Sequence, residues 1–369
     1  MSGYLLSKLT INLAAVRDNY RILADRCGQA ECGATLKANA YGLGVENIAP
    51  TLYAAGARTF FVAYHGEALE LSQVLGHGSD TRIYVLEGTH CGSESDYITD
   101  NIFPVLNTIE QIAGWKNFRN KTGINKSCAV HVDTGMNRLG MAPSVFESAL
   151  DLINEAGVDL VLSHLGSADD TQSPHNAQQL EKVLSIQARA SGKRVSLCNS
   201  AGLFLGSRYV FDLARPGVAL YGANPVSGIE NPMKGAVTLE ARVRQIRHID
   251  AGETVGYGAD FVSDRPMVLG TLAMGYADGF PRSLGASGAY AVFRGQRAPL
   301  VGRVSMDFCV VDLSNLGDQR PKPDDYMELM GKDLPLDKFA EFAGTISHEV
   351  LTNFGARVQR IATDQNAVA

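Results

Sequence analysis

The sequence predicts an α/β protein, a (β/α)8 barrel followed by a mainly antiparallel β domain. Two observations carry that expectation. From Asn12 to about Gly222, short apolar runs alternate with longer amphipathic ones, the rhythm of parallel strands joined by crossover helices. After about Lys234 the helical rhythm stops. There Val237, Leu239, Ala241 and Val243 alternate with Thr238, Glu240, Arg242 and Arg244, as in a strand with one face in a core.

The barrel strands are expected at Ala34–Lys37, Thr59–Tyr64, Arg82–Glu87, Ile102–Leu106, Ser127–Asp133, Asp159–His164, Arg194–Asn199 and Phe211–Val218. Helices are expected between them at Val45–Ala55, Gly66–Leu75, Ile109–Phe118, Pro143–Glu155 and Asn176–Ala190. Pro143 and Pro174 suit first helical positions, where a missing N–H costs nothing. Gly56, Gly157 and Gly192 follow helical runs and suit left-handed caps. Eight such repeats close a parallel barrel. An open doubly wound sheet is the competing fold, but no G-x-G-x-x-G opens the first helix. Later strands are expected at Met267–Met274, Tyr290–Phe293, Ala298–Val304 and Phe308–Asp312, punctuated by glycine and proline. The expected domains are residues 10–234 for the barrel and 235–369 for the β domain, joined by an N-terminal strand at residues 1–9. Leu9–Leu13 can pair with that second domain instead of the barrel.

Bulk properties narrow the function. The chain has 369 residues and a formal net charge of −6, so no basic stripe stands ready to displace counterions from nucleic acid. Its N-terminus, MSGYLLSKLTINL, lacks the basic start, apolar core and cleavage site of a secretory signal. No apolar run reaches membrane-span length. Cys27, Cys32, Cys91, Cys128, Cys198 and Cys309 are irregularly spaced and read as free thiols in a reducing cytoplasm. Cys27 and Cys32 lack a second ligand pair, so no metal is expected.

Working residues of such barrels sit at the C-terminal ends of the strands. Here those exits carry Lys37, Tyr64 and His65, Glu87, Asn107, Asp133 leading to Arg138, His164, Asn199 with Ser200, and Arg215. A lone lysine is usually a solvated charge. Lys37, however, follows apolar Ala34–Leu36 and precedes Ala38. A lysine desolvated in this way has a lowered pKa and can form a Schiff base with an aldehyde. Barrels often hold phosphate between the loops after the seventh and eighth strands, here Cys198–Gly202 and Arg215–Val218. An ordinary Asn-Ser turn is the bland reading of the first loop.

These motifs resemble one family. Ala34-Thr-Leu-Lys37-Ala-Asn-Ala-Tyr41-Gly-Leu-Gly44 is similar to the cofactor-lysine segment of alanine racemases, and Asp133-Thr-Gly-Met-Asn-Arg138-Leu-Gly to their substrate-carboxylate segment. Ser163-His164-Leu-Gly-Ser-Ala-Asp169, Arg215-Pro-Gly-Val-Ala-Leu-Tyr221-Gly, Val255-Gly-Tyr257-Gly-Ala, Gly275-Tyr276-Ala-Asp-Gly279 and Val301-Gly-Arg303-Val-Ser-Met306-Asp307 follow in family order.

The resemblance implies racemisation of alanine by two bases on pyridoxal 5'-phosphate. Lys37 would hold the cofactor covalently and serve one face. Tyr257, from a second subunit of a homodimer, would serve the other, because a single base tends to return a proton to the side it left. Arg215 would face the pyridine nitrogen and keep it unprotonated, since a guanidinium does not give up its proton. His164 would support Arg215 or the ring. Arg138 would grip the substrate carboxylate with a planar fork, and Met306 would offer a backbone N–H from the partner chain. Tyr41, Asn199, Ser200, Gly217, Val218 and His348 would surround the cofactor and its phosphate. Asp169, Tyr276, Arg282, Arg303 and Ile346 would line the entrance. The implied role is D-alanine supply for cell-wall peptidoglycan or, alternatively, D-alanine consumption, in the cytoplasm.

Two positions depart from the family pattern. His131 stands where many relatives carry a carbon-dioxide-modified lysine that fixes the arginine equivalent to Arg138. His348 stands where many carry tyrosine, which leaves room for a broader alanine and serine specificity. Two other readings compete. A non-catalytic pyridoxal-phosphate-binding barrel would lack the second domain that carries Tyr257. A related decarboxylase would carry an acidic residue where this chain has Arg215.

Overall fold

The computed structural model describes residues 5–76, 80–98 and 101–364. The outer ends of the expected domains, residues 1–4 and 365–369, lie outside the described residues.

Seven parallel strands run in order through Ala34–Thr35, Thr59–Val62, Arg82–Val85, Ile102–Leu106, Cys128–His131, Val158–Leu162 and Arg194–Ser196. The eighth, Leu213–Ala214, pairs with Glu31–Cys32, the outer half of a first strand that Gly33 interrupts. A Cβ on Gly33 would meet the Thr59 carbonyl oxygen at 2.9 Å and that of Ala214 at 3.1 Å, so only glycine lets the neighbouring strands close in. Backbone bonds complete the cylinder. Asp212 N donates to Val195 O and Arg215 N to Cys198 O, each at 2.9 Å, while Gly33 N donates to Ala214 O at 2.9 Å.

Most strands are shorter than expected, because ladder pairing stops where the chain turns outward to form the mouth. Lys37 thus lies beyond its strand and opens the segment Lys37–Gly42. Phe61, Tyr84, Val105, Ala129, Leu160, Leu162 and Leu213 point inward and fill the barrel, as side chains fill any cylinder of this size. The expected helices form, with adjusted ends. Pro174 is the first residue of Pro174–Arg189. The run expected as one helix from Pro143 breaks at Ala149 into Pro143–Ser148 and Leu150–Glu155.

The second sheet has eight strands and is antiparallel except at one edge pair. Ser7–Asn12 lies between Val237–Ile249, which it meets antiparallel, and Gln359–Thr363, which it meets parallel. The segment leading into the first barrel helix therefore belongs to the second sheet. Burial alternates through the first part of Val237–Ile249, as its apolar and polar residues do. Two helices interrupt the β pattern, Leu336–Ala343 and Ser347–Asn353, where only strands were expected. The second of these packs on the segment after Lys37. A Cβ on Gly42, whose φ is +79°, would meet the Leu351 carbonyl oxygen at 2.7 Å. Arg360 ties the same place to the last strand by donating from Nε to Gly42 O at 3.0 Å.

Candidate active site

Lys37 opens onto a cavity of about 890 Å³ at the C-terminal mouth of the barrel. The four residues after it, Ala38, Asn39, Ala40 and Tyr41, all have left-handed backbone angles, with φ between 51° and 58°. Such a conformation costs L-residues about 1–2 kcal/mol each. Surrounding bonds hold it in place. Ala38 N donates to Glu67 Oε1 at 2.6 Å, Ala40 N to Leu36 O at 2.9 Å, and Val45 N to Asn39 Oδ1 at 2.7 Å. Strain of this kind collects at functional sites. The turn leaves Lys37 half-buried in the cavity wall and sends the Tyr41 ring inward, 4.9 Å from the Tyr221 ring. Burial, and then the charge of Arg138, lower the pKa of Lys37, with Glu67 acting the other way.

Arg215 sits deep in the same cavity and is 5% exposed. Its guanidinium donates to Ser196 Oγ, to the Ser163 carbonyl oxygen at 2.5 Å, and toward His164 Nδ1 at 3.4 Å. Burial pulls its pKa down to about 10, which leaves it a cation at neutral pH. His164, beside it, is pushed well below the usual histidine range by burial and by the charges of Arg215 and Arg138. Both residues leave barrel strands at their C-terminal ends.

The loops after the seventh and eighth strands meet where a phosphate was expected. Ser200 Oγ accepts from Gly217 N at 2.8 Å and from Ala219 N at 3.4 Å. Asn199 Oδ1 accepts from Gly202 N at 2.9 Å and so shapes its loop rather than reaching across the cavity. Val218 and the His348 ring complete this side, with the ring 5.9 Å from that of Tyr41.

Of the residues singled out from the sequence, Lys37, Tyr41, Arg138, His164, Asn199, Ser200, Arg215, Gly217, Val218 and His348 line this one cavity, together with Asp169 and Ile346. Tyr257, Met306, Tyr276, Arg282 and Arg303 do not. Tyr257 lies on the second domain, in a Gly-Tyr-Gly turn, and is 70% exposed. Met306 is 53% and Tyr276 44% exposed. Arg303 pairs with Asp260. Glu67 was missed from the sequence, although it stands where helices often carry an acid. It receives Ala63 N, Tyr64 N and Ala38 N, and so joins the lysine turn to the helix His65–Leu75.

Both halves of the chain match known proteins. Residues 11–225 match the family model described as alanine racemase, N-terminal domain, and residues 236–362 match alanine racemase, C-terminal domain. The chain is 42% identical over 370 residues to an alanine racemase of Rhizobium meliloti (strain 1021), covering 96% of each chain. It is also 42% identical over 366 residues to a biosynthetic alanine racemase of Agrobacterium fabrum, covering 96% of this chain and 93% of that one. The crystal structure of an alanine racemase from Bartonella henselae, with covalently bound pyridoxal phosphate, superposes with a TM-score of 0.92 at 40% identity. That match covers 97% of this chain and 99% of the other.

Proposed function

The chain belongs to the alanine racemase family, and from that membership we propose that it interconverts L-alanine and D-alanine with Lys37 and Tyr257 as its two proton carriers. One observation carries the assignment of Lys37. It is the half-buried lysine at the mouth of the cavity, with a lowered pKa, and Arg138 and Arg215 share that cavity.

The cavity fits pyridoxal phosphate on its own geometry. At Gly217 a Cβ would meet the Tyr41 hydroxyl at 2.4 Å, so glycine there lets that hydroxyl sit against the loop. Ser200 Oγ, the Tyr41 hydroxyl and the Val218 N–H would hold the phosphate, and the Gly217 N–H would join them by exchanging its bond to Ser200 Oγ for one to the phosphate. Arg215 would face the ring nitrogen. When bound, the cofactor supplies an aldehyde that captures the substrate amine and a ring that accepts electron density from the α-carbon.

The protein's own groups do the rest. Arg138 is exposed to the cavity and presents a planar fork to the substrate carboxylate. That contact fixes which way the α-hydrogen points. Lys37, lowered in pKa, can take or return that proton at Nζ on one face. Arg215, held cationic and committed to Ser163 and Ser196, has no proton to release toward the ring nitrogen. His164 stays neutral beside it and packs without adding charge.

The second face needs a group that one chain leaves outside its own cavity. We read Tyr257, 70% exposed, and Met306, 53% exposed, as the partner subunit's contribution in a homodimer whose sites are shared between subunits. On the same reading Tyr276, Arg282 and Arg303 join Asp169 and Ile346 at the entrance. The expected boundary near residue 234 divides a barrel domain from a second domain, which also takes Ser7–Asn12 into its sheet. We place the enzyme in the cytoplasm, where it supplies D-alanine for peptidoglycan. Six free cysteines and the absence, among the described residues, of a helix long and apolar enough to cross a membrane are consistent with that placement. Loss of optical rotation from L-alanine, by protein bearing the absorbance of bound pyridoxal phosphate, tests the activity. Cofactor-loaded protein that leaves the rotation unchanged overturns it.

A further inference from the structure

Glu67 stands third in the helix His65–Leu75 and does not line the cavity. A glutamate at that position usually closes a helix start by accepting the free N–H groups before it. Its Oε2 does this, accepting from Ala63 N at 2.8 Å and from Tyr64 N at 3.2 Å. Its Oε1 does something that a cap does not need. It accepts at 2.6 Å from Ala38 N, 29 residues earlier, at the exit of the neighbouring strand. One carboxylate thus joins the ends of the first two barrel strands, just past the pairing of Thr35 with Phe61.

That third bond falls on the backbone of Lys37. Ala38 N belongs to the peptide that follows the lysine. The peptide that precedes it is held within the turn, where Ala40 N donates to Leu36 O at 2.9 Å. Together the two peptide planes set the direction in which the Lys37 side chain leaves its Cα. The first is a local bond, whereas the second depends on one side chain from another element. Ala38–Tyr41 are left-handed, a conformation that L-residues resist, so the turn relaxes when a tie is cut. The charged and titratable groups that act on Lys37 or feel its charge are Arg138, Glu67, His164 and His348. Burial holds both histidines toward their neutral forms. Arg138 opposes a proton on Lys37, and Glu67, the one carboxylate of the four, favours it.

We propose that Glu67 is a positioning residue for Lys37: its carboxylate ties the peptide after the lysine to the exit of the next strand, which fixes where Nζ stands in the cavity, and its charge offsets that of Arg138 there. The inference rests on the assignment of Lys37 as cofactor lysine and proton carrier. It gives a side chain outside the cavity control over both the place and the proton of the group that works inside it.

Two variants, each loaded with pyridoxal phosphate, test this. Glu67→Gln keeps the size of the side chain but has one acceptor oxygen where the carboxylate has two. It can cap Ala63 and Tyr64 or hold Ala38, not both, and its charge is gone. Ala38 is exposed, so water takes the lost bond and the fold is kept. Glu67→Asp keeps the charge but is one methylene short of spanning both strand exits. In Glu67→Gln the visible circular dichroism of the bound cofactor should change, because its attachment point has moved. Its kcat should fall about 10- to 100-fold, the cost of misplacing a reacting group by up to about 1 Å, with a smaller change in KM. The limb of the kcat–pH profile on which Lys37 must be free of its proton should move to lower pH, since the charge that favours that proton is gone. In Glu67→Asp the dichroism should change while the limb moves less. If dichroism or limb stays in place in Glu67→Gln, Glu67 is a helix cap alone and the proposal is overturned. A limb that moves as far in Glu67→Asp as in Glu67→Gln overturns it too. Lys37→Ala tells the two readings apart. Loss of cofactor linkage and activity there, with Glu67→Gln silent, removes only the positioning role, whereas both retained in Lys37→Ala removes the lysine assignment itself.

Discussion

Nη2 of Arg215 lies 3.4 Å from Nδ1 of His164, deep in the barrel mouth. A guanidinium only donates, so Nδ1 must accept and the imidazole must be neutral with its proton on Nε2. A cation, a neutral ring and the Ser163 carbonyl oxygen thus form one directed set. Arg215→Lys keeps the charge but loses the fork, leaving Ser163 O or Ser196 Oγ without its donor. Each buried group so stranded costs about 1–3 kcal/mol. Thermal unfolding should show a lower Tm, by roughly 2–4 °C for each kcal/mol lost. An unchanged Tm would mean that Arg215 does not hold this floor together.

Lys37→Ala should abolish covalent attachment of pyridoxal phosphate and reduce racemisation by about 10²- to 10⁴-fold or more, as expected for loss of a positioned acid–base group. Borohydride reduction followed by peptide mapping checks the attachment. A pyridoxyl group found on another lysine would move the site.

Assembly is tested by mixing two inactive proteins. If the partner subunit's Tyr257 serves the second face, a dimer of one Lys37→Ala chain and one Tyr257→Phe chain contains one intact site. Random exchange in a two-fold dimer makes half the molecules mixed and should restore roughly a quarter of the full activity. Mixed dimers that form without activity would place the whole site within one chain.

The barrel was legible because its apolar runs are short and regularly spaced, and each ends at a chemically unusual residue such as Lys37, His164 or Arg215. What the sequence hid had physical reasons. Ala38-Asn-Ala-Tyr41 contains no glycine, so nothing local announces a left-handed turn; contacts from Glu67 and the helix Ser347–Asn353 impose it. The helices Leu336–Ala343 and Ser347–Asn353 are too short for their period to stand out among strands. That the N-terminal strand can join the second domain was legible, but its register against residues more than two hundred positions away was not. Asn107 was noted only as a strand exit, because its bonds to Leu86, Val105 and His131 exist only once the barrel closes.

Acid should weaken the fold through His131. Its folded-state pKa, about 4, lies below the usual value of 6.5. Between those values the unfolded chain binds a proton that the folded protein refuses, so stability falls as the pH drops through that window. The loss begins near the unfolded pKa and is complete below the folded one, reaching roughly 3 kcal/mol at most. His164 is shifted in the same direction and adds to the trend. Tm measured from pH 7 to pH 4 should decline, and His131→Gln should flatten part of the slope. A profile unaffected by that substitution would show that His131 titrates alike in both states.

The last prediction concerns substrate range and rests on His348. The ring lines the cavity, 5.9 Å from that of Tyr41, with Ile346 and Asp169 on the same wall. The family resemblance places tyrosine in this corner, and histidine leaves out several heavy atoms. One methylene in a fitted pocket changes selectivity by only about 1–3 kcal/mol. Modest extra room should therefore relax the preference for alanine without abolishing it, so alanine remains the best substrate and serine is turned over detectably. His348→Tyr should shift the kcat/KM ratio toward alanine by about tenfold, the low end of that range. It should also tighten cofactor retention if the phenol reaches the phosphate beside Tyr41. Measuring kcat/KM for alanine and serine in both proteins separates the two effects, because a hydrogen bond to phosphate acts on cofactor binding and leaves the substrate ratio alone. If the ratio is the same in both proteins, His348 does not shape the substrate corner, and the limit on side-chain size is set elsewhere.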